Sequence, residues 1–245
     1  MNMLEVEGLR KEYPAFTLQD VSFAVPQGAI VGFIGRNGAG KSTTLKSILG
    51  LVHRSGGAVR WCGQDVADCE KTFKENIGVV LGGVDFYPKK KIRAITDVTK
   101  RFYPNWDEAK YRHYCKLFSL DAEKRVDQLS SGMKIKYLIA LALSHNARLL
   151  ILDEPTSGLD PVSRDELVTL FRSIVADGTR SILFSTHITS DLEKCASHIV
   201  FIKDGAIVRS GTVGDFMAAF ADRGSTLEDI IVSIERRELD ESAIV

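Results

Sequence analysis

The chain has 245 residues, 44% of them apolar and 26% charged, and its 32 basic and 32 acidic side chains cancel at pH 7. Such a composition is globular, and it excludes a disordered chain, a collagen-like repeat and a small disulfide scaffold. The missing basic excess argues against nucleic acid as a partner, since phosphate neutralisation dominates that kind of binding. No stretch approaches the ~20 uninterrupted apolar residues of a membrane span. The start lacks a basic segment followed by an apolar run. The four cysteines (Cys62, Cys69, Cys115, Cys195) form no CxxC pair. The expectation is a soluble, cytosolic protein with free thiols.

In chain order, Leu4–Leu9 and Thr17–Val25 read as strands joined by Gly- and Pro-bearing turns, and Ala58–Cys62 joins them in an antiparallel β layer. Ala29–Ile34 is a continuous apolar run too short for a helix, followed by helical spacing over Lys41–Leu51. Ile77–Leu81 is a further buried strand. Residues near 84–128 carry helix-like periodicity and no strong strand, and with the helix predicted over Met133–Ser144 they form a helical insertion at about 84–145. Then strands at Leu149–Leu152, Ser181–Phe184 and Ile199–Ile202 alternate with helices at Ser163–Ala176 and Asp191–Ala196. Apolar β-branched strands of this kind belong to a parallel sheet covered on both faces. The fold class is therefore α/β: a mostly parallel core, an antiparallel β subdomain and a helical subdomain within residues 1–220, and a charged helical tail over 221–245.

The strongest local signal is Gly35-Arg36-Asn37-Gly38-Ala39-Gly40-Lys41-Ser42, placed after strand 29–34 and before a helix that begins near Thr43. It fits G-x-x-x-x-G-K-[ST], the phosphate loop of nucleoside triphosphatases. Glycines let successive N–H groups turn toward phosphate oxygens, and the helix N-terminus adds its partial positive charge. Lys41 would reach the β- and γ-phosphates and the Ser42 hydroxyl would ligate Mg²⁺. Arg148-Leu-Leu-Ile-Leu-Asp153-Glu154 is a buried strand that ends in two acids. Ligands of α/β sheets sit at the carboxyl ends of strands, so these acids and Lys41 can converge. Asp153 suits the Mg²⁺ shell, and Glu154 suits polarising an attacking water.

The order of these motifs resembles the nucleotide-binding subunit of ABC transporters. Leu129-Ser130-Ser131-Gly132-Met133 is similar to that family's LSGGQ signature, with Ser131 in place of a Gly and Met133 in place of the Gln. Taken alone it reads as a helix N-terminus with exposed donors, either a simple N-cap or an anion site. The resemblance implies that Ser130, Ser131 and Gly132 meet the ATP held by Gly35–Thr43 of a second chain. Pro155-Thr-Ser157-Gly158-Leu159-Asp160 looks like the D-loop, which would put Asp160 at the subunit contact. His187, in Ser185-Thr186-His187, matches the switch histidine at the γ-phosphate. Tyr13 matches the aromatic that stacks on adenine. The family's Gln after strand 77–81 is missing: Gly82-Gly83-Val84-Asp85 stands there, with Asp85 as a possible substitute.

By this resemblance the chain is an ATP hydrolase using ATP and Mg²⁺, with Glu154, His187 and Lys41 as catalytic residues. It would work as a homodimer, or beside a second ATPase, on the cytoplasmic side of the membrane under a separately encoded permease. The degenerate signature, the absent Gln and Phe102-Tyr-Pro-Asn-Trp-Asp107 look most like bacterial exporters of antibiotics, multidrug substrates or antimicrobial peptides. Eight aromatic side chains between 86 and 118 suggest a groove for the permease's cytoplasmic helix, although ordinary core packing accounts for some of them. A soluble ABC ATPase of a non-transport complex would keep every motif. A small-molecule P-loop kinase needs neither the 129–133 signature nor a sandwich dimer. A regulator that binds ATP without hydrolysing it is the remaining alternative.

Overall fold

A computed structural model describes residues 1–81 and 87–235. Two sheets organise them. The first is antiparallel and four-stranded, in the order β2-β1-β4-β5, from β1 (Asn2–Tyr13), β2 (Phe16–Pro26), β4 (Gly56–Trp61) and β5 (Gln64–Asp65). The second has six strands in the order β10-β9-β3-β8-β7-β6. These are β3 (Ile30–Ile34), β6 (Ile77–Val80), β7 (Leu149–Asp153), β8 (Ser181–Thr186), β9 (His198–Lys203) and β10 (Ala206–Thr212). Only the β9–β10 pairing in it is antiparallel.

Every residue of β3, β7 and β8 is buried, and period-two alternation divides them between two cores. Ile30, Ile34, Leu150, Leu152, Ile182 and Phe184 face one side. There they pack with α5 (Ser131–Ser144), α6 (Pro161–Val175) and α7 (Thr189–Cys195). Val31, Phe33, Leu149, Ile151 and Leu183 face the other side, against the antiparallel sheet and α1 (Lys41–Ile48). Each fully buried Leu, Ile or Phe contributes about 1.5–3 kcal/mol, so both layers are held firmly on the parallel sheet.

The segment between β6 and β7 is helical, with α3 (Ile92–Thr99) and α4 (Glu108–Leu117) ahead of α5. Tyr111 and Phe118 are buried there, and Trp106 and Tyr114 pack against the same core. Tyr87 and Phe102 are exposed. Thus core packing claims part of the aromatic cluster and leaves part at the surface. Phe86 and the segment Gly82–Asp85, where the missing Gln would fall, lie outside the described residues.

Several elements carry too little periodicity to be read from sequence: β5, β10, α2 (Glu70–Asn76) and α8 (Val213–Ala219). The carboxy-terminal region is a helix over Leu227–Glu235, α9, separated from α8 by a turn. Leu227 and Ile230 of α9 are buried, so this part is docked rather than a freely solvated charged helix. All four cysteines are free and half-buried. No helix among the described residues is long and apolar enough to cross a membrane.

Candidate nucleotide site

Parallel register brings three strand ends together. Phe33 is level with Ser185, and Ser185 is level with Asp153, so β3, β8 and β7 finish side by side. The loop after β3 contributes a cation, the end of β7 two acids and the end of β8 a histidine.

The loop 35–40 needs its glycines. Gly40 has φ 112°, and a Cβ there would lie 2.8 Å from the Phe16 ring and 2.6 Å from Leu18. Gly38 has φ 86° and nothing within 4 Å of where its Cβ would be, so the backbone is bare toward open space. Both φ values are ones that side-chain-bearing residues rarely adopt. Gly40 also accepts from the Thr44 amide at 2.9 Å and the Thr44 hydroxyl at 2.9 Å, which starts α1. A cavity of about 500 Å³ lies over the loop, lined by Ala15, Phe16, Arg36, Asn37, Gly38, Gly40, Lys41, Ser42, Thr43 and Glu154.

Lys41 is 5% exposed. Its ammonium donates to the Gly35 carbonyl at 2.7 Å and the Arg36 carbonyl at 3.3 Å, and stands 3.2 Å from Glu154 Oε1. That Oε1 is buried without a hydrogen bond of good geometry, so the contact with Lys41 is mainly coulombic. The other oxygen, Oε2, is 2.8 Å from His187 Nδ1. One carboxylate therefore joins the loop lysine to the histidine. Glu154 has φ 50°, a left-handed conformation uncommon for a residue with a side chain. Ser185 holds it there, since the Glu154 amide donates to Ser185 Oγ at 2.9 Å and to its carbonyl at 3.2 Å. The same hydroxyl donates to Asp153 Oδ1 at 2.6 Å, fixing an acid that is 7% exposed.

Sequence reasoning did not single out Ser185 or Phe16. Ser185 had a signal, since it lies in the triplet that ends in His187. Phe16 had none, because its role depends on the hairpin between β1 and β2 folding over Gly40.

The remaining candidates lie elsewhere. Ser130 is exposed and caps α5 by accepting from the Met133 amide at 3.2 Å. Ser131 and Gly132 form the first turn of that helix. Asp160 caps α6, accepting from the Val162 and Ser163 amides at 3.0 Å each and from the Ser163 hydroxyl at 2.6 Å. These bonds, the Ser163 hydroxyl's first, hold its carboxyl below the usual range. None of the four lines the 500 Å³ cavity. Tyr13 does not line it either; its ring is 42% exposed near the β1–β2 turn, with the Lys11 ammonium 5.0 Å above it.

A strand, a glycine loop and a helix carrying a buried lysine, beside a strand ending in two acids, define a P-loop nucleotide-binding fold. The comparisons with known proteins narrow this class. The family description "ABC transporter" matches residues 18–157, more than half of the chain. The ABC transporter ATP-binding protein YtrB of Bacillus subtilis is 30% identical over 206 residues, covering 84% of this chain and 70% of that protein. The Nod factor export ATP-binding protein I of Paraburkholderia xenovorans is 32% identical over 224 residues, covering 88% and 73%. The bacitracin transport ATP-binding protein BcrA of Bacillus licheniformis is 32% identical over 194 residues, covering 78% and 63%. A solved ATP-binding subunit of an ABC transporter superposes with a TM-score of 0.85 at 31% identity, covering 96% of this chain and 100% of that one. The chain belongs to the ABC transporter family, and its fold is that of an ATP-binding subunit.

Proposed function

We propose that the chain binds Mg-ATP and hydrolyses it, as the ATP-binding subunit of an exporter whose membrane-spanning part is a separate chain. The observation that carries this reading is the convergence of Lys41, Glu154 and His187, at 3.2 and 2.8 Å, on the rim of a glycine loop. Transport is supported by a relative named for bacitracin transport, and export by one named for Nod factor export.

The roles follow from the chemistry of each group. The backbone of Gly35–Gly40 and the first turn of α1, with Arg36, Asn37, Ala39 and Thr43, cradle the triphosphate. Lys41 leaves the Gly35 and Arg36 carbonyls to neutralise charge on the transferred phosphoryl group. Glu154 is then free to accept a proton from the water that attacks in line, with His187 holding the carboxylate and facing the γ-phosphate. The Ser42 hydroxyl and Asp153, already steadied by Ser185, are an oxygen donor set suited to a hard divalent cation. When bound there, Mg²⁺ would neutralise β- and γ-phosphate charge. Tyr13 stacks on adenine at the open edge.

Ser130, Ser131, Gly132 and Asp160 serve a second chain. Each is placed outside its own cavity, and the first three offer amides and hydroxyls at the start of a 14-residue helix. Two chains closing head to tail would put this helix over the partner's ATP. The groove for the permease is the cavity of about 400 Å³ lined by Tyr87, Lys90, Ala94, Ile95, Val98 and Thr99, which would set the protein at the cytoplasmic face of the membrane.

ATP turnover by the purified protein and its Glu154→Gln variant tests the reading. Mg²⁺-dependent phosphate release that the variant loses supports it. Equal turnover in both, or none in either with permease present, overturns it. Co-purification with a membrane protein distinguishes a transporter subunit from a soluble complex.

A further inference from the structure

Two buried polar atoms on the helix side of the sheet have no partner. Asp191 is 1% exposed, and its Oδ2 makes no hydrogen bond. Arg164 Nε is likewise enclosed without an acceptor. No ion pair joins either residue to another among the described residues. Arg164 is half-buried, with Nε alone enclosed, whereas Asp191 is buried; a buried polar atom without a partner is costly, so two such atoms in one region call for an explanation.

Their placement supplies it. α6 follows β7 and α7 follows β8, and because β7 and β8 are parallel neighbours the two helices run side by side in the same direction. Lys194 of α7 and Asp165 of α6 fix the axial register through a 2.6 Å ion pair. Asp191 lies one turn before Lys194, which sets it level with the first turn of α6, where Arg164 stands. At 100° per residue Arg164 projects between Leu167, Val168 and Phe171, the buried face of α6. Asp191 lies beside Leu192, which packs on Gly32 of β3. One turn further along, the Cys195 thiol, pushed up to about 12 mainly by burial, feels Asp191 from its own helix and Arg172 from α6. Helix register therefore sets Arg164 and Asp191 on neighbouring turns to either side of the seam between α6 and α7.

We propose that Arg164 and Asp191 act as a charge pair across this seam and are positioning residues for ATP hydrolysis, an inference that rests on the hydrolytic reading above. In this pair a change of Arg164 rotamer would bring its guanidinium to the Asp191 carboxylate. α6 is headed by Asp160, and α7 begins two residues after His187. The pair therefore sets the distance between the segment offered to the second chain and the histidine that holds Glu154. Neither side chain touches ATP, so its loss should leave nucleotide affinity alone and misplace the catalytic groups.

The test is a double-mutant cycle with Asp191→Asn and Arg164→Gln, run beside wild type and Glu154→Gln. Turnover is normalised to the fraction of protein that binds ATP, which removes any effect of misfolding. Each single variant should lose roughly 10- to 100-fold in kcat with KM for ATP unchanged. The double variant should lose no more than the worse single one. Asp191→Glu should recover most of the rate. Wild-type kcat in Asp191→Asn, or losses that simply multiply, would overturn the pair. If the wild type shows no Glu154-dependent turnover, the hydrolytic reading has failed. The pair is then still judged by urea unfolding, where non-additive effects support it and additive effects refute it.

Discussion

The two ends of the proposed site are built differently. The phosphate-loop end is finished within one chain. Register places Phe33, Asp153 and Ser185 level, and one serine hydroxyl fixes both acids. A buried lysine has three oxygens within 3.3 Å. At the signature and D-loop end Ser130 and Asp160 are exposed, and among the described residues their side chains bond only within their own helices: Ser130 caps α5 and Asp160 caps α6. A carboxylate, lysine and histidine held this tightly need no partner to take their positions. Capping groups at an exposed helix start acquire a further role only when something is brought to them. The difference locates the step at which a second chain would matter, after nucleotide binding and before hydrolysis.

The phosphate-loop end is most sensitive at Lys41. Lys41→Ala should cost roughly 100-fold or more in ATP affinity, read with a fluorescent nucleotide, because among the described residues no other buried cation faces the loop cavity. Unchanged affinity would refute the phosphate-loop assignment. Glu154→Gln should lower kcat by about 10³-fold, within the range for loss of a general base, while keeping nucleotide binding. Phosphate-release kinetics checks this.

The far end of α5 carries a pH-dependent contribution to stability. His145 caps that helix, is 3% exposed, and stacks on Tyr103 with ring centroids 3.7 Å apart. Burial lowers its imidazole from 6.5 to about 4. The unfolded chain therefore takes up a proton before the folded one does. Stability is full above pH 6.5, falls as the pH drops toward about 4, and levels off below that, with a total loss on the order of 3 kcal/mol. Urea unfolding at pH 7 and pH 4.5 should show this loss in the wild type, and a smaller one in His145→Gln.

Ser185→Ala should lower kcat about tenfold and raise the Mg²⁺ requirement, since Asp153 and the Glu154 amide lose a common partner. A magnesium titration of turnover measures it. The smallest effect is Ser130→Ala, which should cost about 1 kcal/mol of stability through the lost N-cap, with ATP affinity of the isolated chain unchanged.

Much of this was legible in the residues. The apolar runs at 30–34, 149–153 and 181–186 announce buried strands because helices and a second sheet cover both faces. Lys41 could be named from the glycine-loop motif, Glu154 from its place at the end of an apolar strand, and His187 from its resemblance to the family's switch histidine. Three things were hidden. The ion pair from Lys41 to Glu154 and the bond from Glu154 to His187 depend on the left-handed turn at Glu154, which Glu does not signal. The docking of α9 depends on Leu227 and Ile230 finding a surface on α7, while the adjoining charges suggest a solvated tail. The division of the aromatic cluster into buried Tyr111 and exposed Tyr87 and Phe102 is a tertiary outcome that composition cannot reveal.

Light scattering of purified Glu154→Gln, with and without Mg-ATP, tests most directly the claim that one end of the site is complete and the other waits for a second chain. A shift from monomer to dimer on adding nucleotide, abolished by Ser130→Ala combined with Gly132→Asp, is the predicted result. A protein that binds ATP tightly and stays monomeric at saturation, even with its permease present, would contradict the account.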